Sequence, residues 1–259
     1  MSVVATPSAH ALLREFVANS PRRHYLPDTE GIELSNQAAL VREVATTVQA
    51  CLEPDLDALR VPESDAGAEI RVAATIAQYD EILATLLDTA PLIEAGRMST
   101  VWTLLGSAAD RLRVLAGLGS ARGEDVARRL AAASAHARAR LTAAATADDV
   151  DLGLPTALCP TAAVTAAPAP TLPTPTPALA NLIERIDLGA VTGRDGSAHE
   201  SDYDHLATVG GYQFRVALEI IGAATESLCS IAGPVSGTGA WAEKGDDVRA
   251  AVEFAWDCV

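Results

Sequence analysis

A proline-rich stretch constrains this chain more than any other feature of its sequence. Seven of its fourteen prolines lie between Pro155 and Pro177, and no charged side chain occurs from Leu152 to Ile183. Proline lacks the amide hydrogen that a helix needs and its ring clashes with the preceding turn, so this stretch cannot carry a helical hydrogen-bond ladder. We expect an extended, semi-rigid spacer over residues 149–177, with a separate domain on each side of it.

Hydrophobic periodicity predicts an all-α fold on both sides of this spacer. Four longer helices joined by short connections predict an antiparallel helical bundle over residues 1–148. Pro54 and Pro91 should interrupt two of these helices, because proline is poorly tolerated inside a helix. The clearest apolar stripe repeats at spacings of 4, 3, 4 and 3, and it consists of Val72, Ile76, Tyr79, Leu83 and Leu86.

Residues 178–259 are expected to form a small helical module. Its segment 212–220 also fits a strand, because apolar and polar residues alternate there. Over a longer window the same residues fit a helical period, with Gly210 and Gly211 as the weak point, and the helical context favours a helix. The glycine-rich residues 233–239 are expected to form a loop before a last helix that begins near Gly245.

The charge of the chain argues against nucleic acids and anionic membranes as partners. The formal net charge is −15, and acidic residues outnumber basic ones on both sides of the spacer. Both halves would repel a phosphate backbone or an anionic lipid surface, so we expect neither nucleic-acid nor membrane binding. The first residues lack the basic and apolar regions of a signal peptide, which predicts a cytoplasmic protein with reduced thiols.

The densest cluster of candidate metal ligands spans residues 199–205. On a helix, Asp202 and His205 are three residues apart and share a face, so they are candidates for a general base or a metal pair. His199 is the third candidate ligand, although it would point about 120° away from His205 on such a helix. The alternative interpretation is a solvated helix N-terminus, where the helix dipole stabilises acidic residues.

Three arginines form a candidate anion-binding site. Arg122, Arg129 and Arg140 fall within about 40° of one another on a helical wheel, together with His136. They could cradle a carboxylate or phosphate. The structural alternative, which we favour, is that their aliphatic stems cover the edge of a bundle seam and their charges pair with acids of other helices.

Searches for familiar catalytic motifs fail in this sequence. There is no P-loop, no HExxH motif and no EF-hand loop, and the four cysteines lack metal-binding spacing. Together with the expected tethered modules, this predicts a non-enzymatic interaction or scaffold protein that acts through a protein partner or through self-association. The alternative is an enzyme of all-α fold, with or without a metal ion, that uses the 199–205 cluster and the arginines. No particular cofactor is indicated.

Overall fold

The computed structural model describes residues 8–19, 32–59, 66–148, 171–195, 203–237 and 239–258, and every element in them is an α-helix. The all-α class predicted from the sequence is therefore confirmed. In chain order, the helices of these residues are α1 (Ala9–Asn19), α2 (Ile32–Ala58), α3 (Ala66–Glu94), α4 (Met98–Gly119), α5 (Gly123–Ala147), α6 (Pro177–Asp195), α7 (Tyr203–Ser236) and α8 (Ala240–Asp257).

Helix α7 is the central helix of the fold, and it contains the segment that also fitted a strand. The helical prediction for residues 212–220 is confirmed. Val216, Ala217 and Leu218 are consecutive, so their side chains point about 100° apart around this helix, yet all three are fully buried. A helix that is apolar on most sides belongs in the interior. Accordingly, α7 packs against α2, α3, α4 and α8.

Helices α2, α3 and α4 pack side by side around this central helix. The turn from α3 to α4 is made by Gly96, whose φ of 67° is the left-handed conformation that glycine adopts easily. The amide of Gly96 donates to the carbonyl of Ile93 at 3.0 Å, and that of Arg97 donates to the carbonyl of Leu92 at 2.8 Å. These two bonds satisfy carbonyls at the end of α3 and reverse the chain direction.

Helices from both sides of the proline-rich stretch share one hydrophobic core. This core runs from Leu13 in α1 to Ala255 in α8 and includes buried residues of α2, α3, α4, α6 and α7. In addition, α1 packs against α8, so the first and last helices of the chain meet. The division into domains at 1–148 and 178–259 stays a prediction; in this structure, helices of the two ranges pack against one another. The apolar stripes of α2, α3 and α4 need a partner, and α7 is that partner.

The end of the predicted spacer packs on α4. Residues 149–170 lie outside the described part of the chain, whereas residues 171–176 form an irregular segment. Leu172 of that segment packs against the core, and it lies so close to α4 that a Cβ on Gly117 would be 2.9 Å from its Cδ2 atom. At least these last residues are therefore part of the folded body, which differs from a freely extended tether.

Three prolines lie inside helices, which corrects the helix ends expected from the sequence. Pro54, Pro91 and Pro234 belong to α2, α3 and α7. Each lies within the last five residues of its helix. A proline there removes one hydrogen bond of the ladder, and little more than one turn has to continue past it. The loop expected at 233–239 is correspondingly shorter, since α7 ends at Ser236 and α8 begins at Ala240.

A few polar contacts join helices that are far apart in the sequence, and two of these contacts are buried. The hydroxyl groups of Tyr79 on α3 and Thr225 on α7 lie 2.9 Å apart in the core. The side-chain amide of Gln213 on α7 donates to the carbonyl of Met98 at 2.8 Å. Asp247 of α8 accepts from the hydroxyl of Ser8 at 2.5 Å and from the amide of Ala9 at 2.6 Å, so an acid of α8 caps the N-terminus of α1.

One helix among the described residues could cross a membrane by its length and composition alone. This is the stretch Thr208–Ser236 of α7, with a mean hydropathy of 1.4 over its most apolar part. Of that part, 56% is buried inside the protein. The central helix of a soluble protein meets the same criteria, so this observation is weak evidence for a membrane span.

Candidate interaction site

Of the three predicted metal ligands, only one lies within a described helix. His199 and Asp202 are outside the described residues, and His205 belongs to the first turn of α7. Within the residues that the structure describes, no group of three or more His, Cys, Asp or Glu side chains could hold a metal ion. The general-base and metal roles of the 199–205 cluster stay predictions.

The three predicted anion-binding arginines are spread along α5. Arg122 precedes the first residue of the helix and Arg140 lies in its second half, so a separation of 18 positions corresponds to about 27 Å of helix. The three guanidinium groups therefore cannot all converge on one small anion. Arg129 instead donates from Nε to Asp125 at 3.0 Å. That acid belongs to α5 itself, whereas the structural alternative expected acids of other helices.

The two ends of α5 differ in how much of them is buried. Its first turns pack on α3 and α4, and Val126 and Ala127 are buried there. Farther along, Leu141 is 56% exposed. The second half of α5 thus has a mostly solvated surface, and its alanine-rich composition supports a helix without much burial.

A cleft of about 290 Å³ lies between the end of α7 and the start of α8. Its lining includes Cys229, Glu226, Asp246 and Arg249. Arg249 already pairs with Asp246 at 3.1 Å. Burial raises the pKa of the Cys229 thiol to about 11, so this thiol stays protonated at neutral pH and is a poor nucleophile. The cleft therefore lacks an activated reactive group.

A second, larger surface cavity follows the outer side of α6. This α6 groove has a volume of about 400 Å³. Most of its lining comes from α6 itself, with one residue from α4 and one from the segment before α6. The lining residues are Arg113, Pro175, Ala180, Ile183, Glu184, Asp187, Leu188 and Val191.

The start of α6 is determined by local sequence. Pro177 is its first residue, where the missing amide hydrogen has no helical partner in any case. Thr176 stands in the capping position, and its hydroxyl accepts from the amide of Leu179 at 3.3 Å. The last proline of the proline-rich stretch therefore begins a helix, and Pro175 forms one end of the groove.

The opposite side of α6 is held firmly against α4. Leu179, Leu182 and Ile186 form its buried stripe. The backbone of Gly189 approaches α4 so closely that a Cβ there would lie 2.5 Å from the indole of Trp102. These contacts fix α6 along its length, so that its outer side keeps a defined shape.

An ion pair ties α6 to the central helix. The guanidinium of Arg185 donates twice to the carboxylate of Glu219 on α7, once at 3.0 Å and once at a shorter distance. The Glu219 carboxylate raises the pKa of Arg185 further above its ordinary high value. This bidentate geometry restricts rotation of α6 about its own axis.

The groove combines exposed apolar side chains with acidic ones. Leu188 is 59% exposed and Val191 is 63% exposed. Glu184 and Asp187 lie among them on the same arc of α6, and Arg113 of α4 pairs with Asp110 of its own helix at 3.7 Å. Such an arrangement can bury apolar side chains of a partner and select its charge. It offers no nucleophile or general base held in a buried pocket.

A small helical module was expected here from the sequence, but this surface was not identified. A signal was present: Ala180, Ile183, Leu188 and Val191 occupy about 140° of the helical wheel, shared with Glu184 and Asp187, outside the stripe of Leu179, Leu182 and Ile186. A helix with two apolar arcs has a second surface to cover.

No family model matches the chain, and no curated protein or solved structure matches it.

Proposed function

We propose that this protein is a non-enzymatic interaction protein that binds a protein partner in the α6 groove. The observation that supports this most is the exposed apolar pair, Leu188 and Val191, on a helix whose opposite side is buried. Single exposed apolar residues are common on protein surfaces. Here they share a groove of about 400 Å³ with Ile183 and Ala180, so a partner that enters the groove can cover several apolar side chains at once.

The apolar part of the groove is large enough to matter for binding. Fully burying a Leu or Val side chain is worth about 1.5–3 kcal/mol. Since Leu188 and Val191 are each more than half exposed, covering both would contribute roughly 2–4 kcal/mol, or a factor of about 30 to 1,000 in affinity. That contribution is sufficient for a central anchor of an interface, provided that polar contacts at the rim add to it.

The rigid attachment of α6 supports the same proposal. Because Gly189 and Arg185 fix the helix on α4 and α7, the groove needs little rearrangement when a partner binds. A surface formed in advance loses less conformational entropy on association. The partner therefore meets a surface of constant shape.

A matched pair of variants tests this proposal. Leu188→Asp places a charge in the groove, whereas Leu141→Asp makes the same change at a residue of almost equal exposure on α5. Tagged wild-type protein and both variants would be cross-linked in cell extract, and captured proteins would be identified by mass spectrometry. We expect one set of proteins to be captured by the wild type and Leu141→Asp and lost with Leu188→Asp.

Equal capture by all three proteins would contradict the proposal, as would the absence of any specific capture. Far-UV circular dichroism serves as the folding control. Both leucines are mostly solvated, so neither variant should change the helical signal.

A further inference from the structure

We propose that the occupant of the α6 groove is an amphipathic helix with a basic polar face. This inference rests on the proposed function, because it specifies the partner of the same groove. It is carried by three properties of the groove: the charge of its lining, the state of its backbone groups and its length.

The charge of the groove lining is negative. Glu184 and Asp187 line the groove directly, and Asp110 lies beside its single basic lining residue, Arg113. Arg113 is therefore partly neutralised within its own helix. Beyond the groove, the whole chain has a net charge of −15. Lysine and arginine side chains on a partner would be attracted both at long range and by the two lining acids.

The backbone of α6 makes an extended partner a poor fit. A peptide in strand conformation binds through main-chain hydrogen bonds to an exposed sheet edge. The groove is lined mainly by side chains of one helix, whose amide and carbonyl groups bond within the helix. A helical partner satisfies its own backbone, so it needs only the side-chain contacts that this groove provides.

The length of the apolar arc matches about three turns of a partner helix. From Ala180 to Val191 the groove follows 11 residues of α6, which correspond to about 16 Å. A partner helix lying along this distance presents side chains at positions i, i+3 or i+4, and i+7. Two leucine-sized anchors would lie near Leu188 and Val191, with a smaller one near Ala180.

A second copy of this chain is a less suitable occupant. Each copy would bring its own net charge of −15, and two α6 surfaces would bring Glu184 and Asp187 of both copies close together. Like charges at such distances oppose association. The basic helix relieves the same charges.

Two synthetic peptides of equal length test the inference. Both have leucines at helical i, i+3, i+4 and i+7 spacing; the other positions are Lys and Gln in one peptide and Glu and Gln in the second. Affinity for the full chain would be measured by isothermal titration calorimetry. We expect the Lys peptide to bind at least tenfold more tightly than the Glu peptide, with an affinity that falls as salt rises.

The variant Leu188→Asp separates binding in the groove from unspecific charge attraction. It adds a negative charge, so unspecific attraction of the Lys peptide would increase, whereas binding in the groove should weaken at least tenfold. Leu141→Asp adds the same charge on α5 and should leave the affinity within about twofold. The double variant Glu184→Gln/Asp187→Asn should lower the affinity for the Lys peptide about threefold to tenfold and reduce its salt dependence.

Several outcomes would overturn the inference. Equal affinities for the two peptides would do so, and so would binding of the Lys peptide that Leu188→Asp leaves unchanged or strengthens. Native mass spectrometry could also show a dimer that forms as concentration rises. If Leu188→Asp remained a monomer under the same conditions, the occupant would be a second copy of this chain. Binding that appears only after residues 152–170 are replaced by a Gly-Ser sequence of equal length would identify the chain's own spacer.

Failure of this inference differs from failure of the proposed function. If Leu188→Asp removes a captured protein from the extract while the Lys peptide does not bind, the groove binds a partner of another kind. If no protein is captured through Leu188 in the first place, the interaction function itself is wrong.

Discussion

Gly189 is the residue on which the attachment of α6 to α4 depends most closely. A Cβ added there would lie 2.5 Å from two ring atoms of Trp102, and this indole is buried. Carbon atoms in favourable contact are about 3.5–4.0 Å apart, so Gly189→Ala requires α6 or the indole to move by about 1 Å. Overpacking of this kind costs about 1–3 kcal/mol. The better helix propensity of alanine returns about 1 kcal/mol, which leaves a net loss of roughly 1 kcal/mol.

Gly222 on α7 provides the matched control. A Cβ at this position would meet no atom within 4 Å, so Gly222→Ala should raise stability by about 0.5–1 kcal/mol through helix propensity alone. The same chemical change at the two glycines should therefore differ by about 2 kcal/mol, which corresponds to roughly 4–8 °C in Tm for a chain of this size. Thermal unfolding followed by circular dichroism measures it. A Gly189→Ala variant as stable as Gly222→Ala would refute the packing of α6 against Trp102.

Three further predictions concern Tyr79, Asp247 and Cys229. Tyr79→Phe should cost about 1–2 kcal/mol in urea unfolding, because it leaves the buried Thr225 hydroxyl unpaired. Burial raises the pKa of Tyr79, so only the unfolded chain ionises it above about pH 10 and stability falls there with rising pH; an unaltered alkaline loss in Tyr79→Phe would argue against this. Asp247→Ala should speed proteolysis within α1 by removing its cap, whereas Asp257→Ala on the same helix should not. Cys229, with its pKa raised to about 11, should react with iodoacetamide about 100-fold more slowly at pH 8 than the same thiol in urea; similar rates would mean that it is not buried.

Hydrophobic periodicity was sufficient to predict that this chain is helical, because helix formation is largely a local property. The stripe that contains Tyr79, Leu83 and Leu86 is indeed a buried face of α3. Segment 212–220 was ambiguous for a physical reason. A helix buried on most sides has apolar residues at every spacing, including every second position. The alternation around Phe214 and Leu218 therefore does not indicate a strand.

Periodicity could not show which faces meet. Gly210 and Gly211 counted as helix-weakening residues in the sequence, yet α7 continues through both. A Cβ on Gly210 would lie 2.7 Å from Leu34 and from Gln37 of α2, so glycine here permits the close approach of two helices. Such a contact joins residues more than 170 positions apart, and nothing in the local pattern indicates it.

The prolines affected two sequence predictions, one of where a helix ends and one of how the chain divides into domains. Pro91 was expected to interrupt a helix that in fact reaches Glu94, because a proline in the last turns removes one bond and imposes little further cost. The cluster before Pro177 was expected to separate two bodies. Proline prevents a helix within its own segment, but it has no influence on whether the flanking helices pack together.

The account depends most on the core that helices from both sides of the proline-rich stretch share, since α6 forms a groove only while it is packed on α4. A protease site introduced at residues 158–163 of the full chain tests this directly, with native mass spectrometry and urea unfolding after cleavage. We predict that the two fragments stay together as one complex, unfold in one cooperative transition and show no cooperative transition when they are separated. Fragments that part on cleavage and each unfold cooperatively alone would contradict the shared core and the groove built on it.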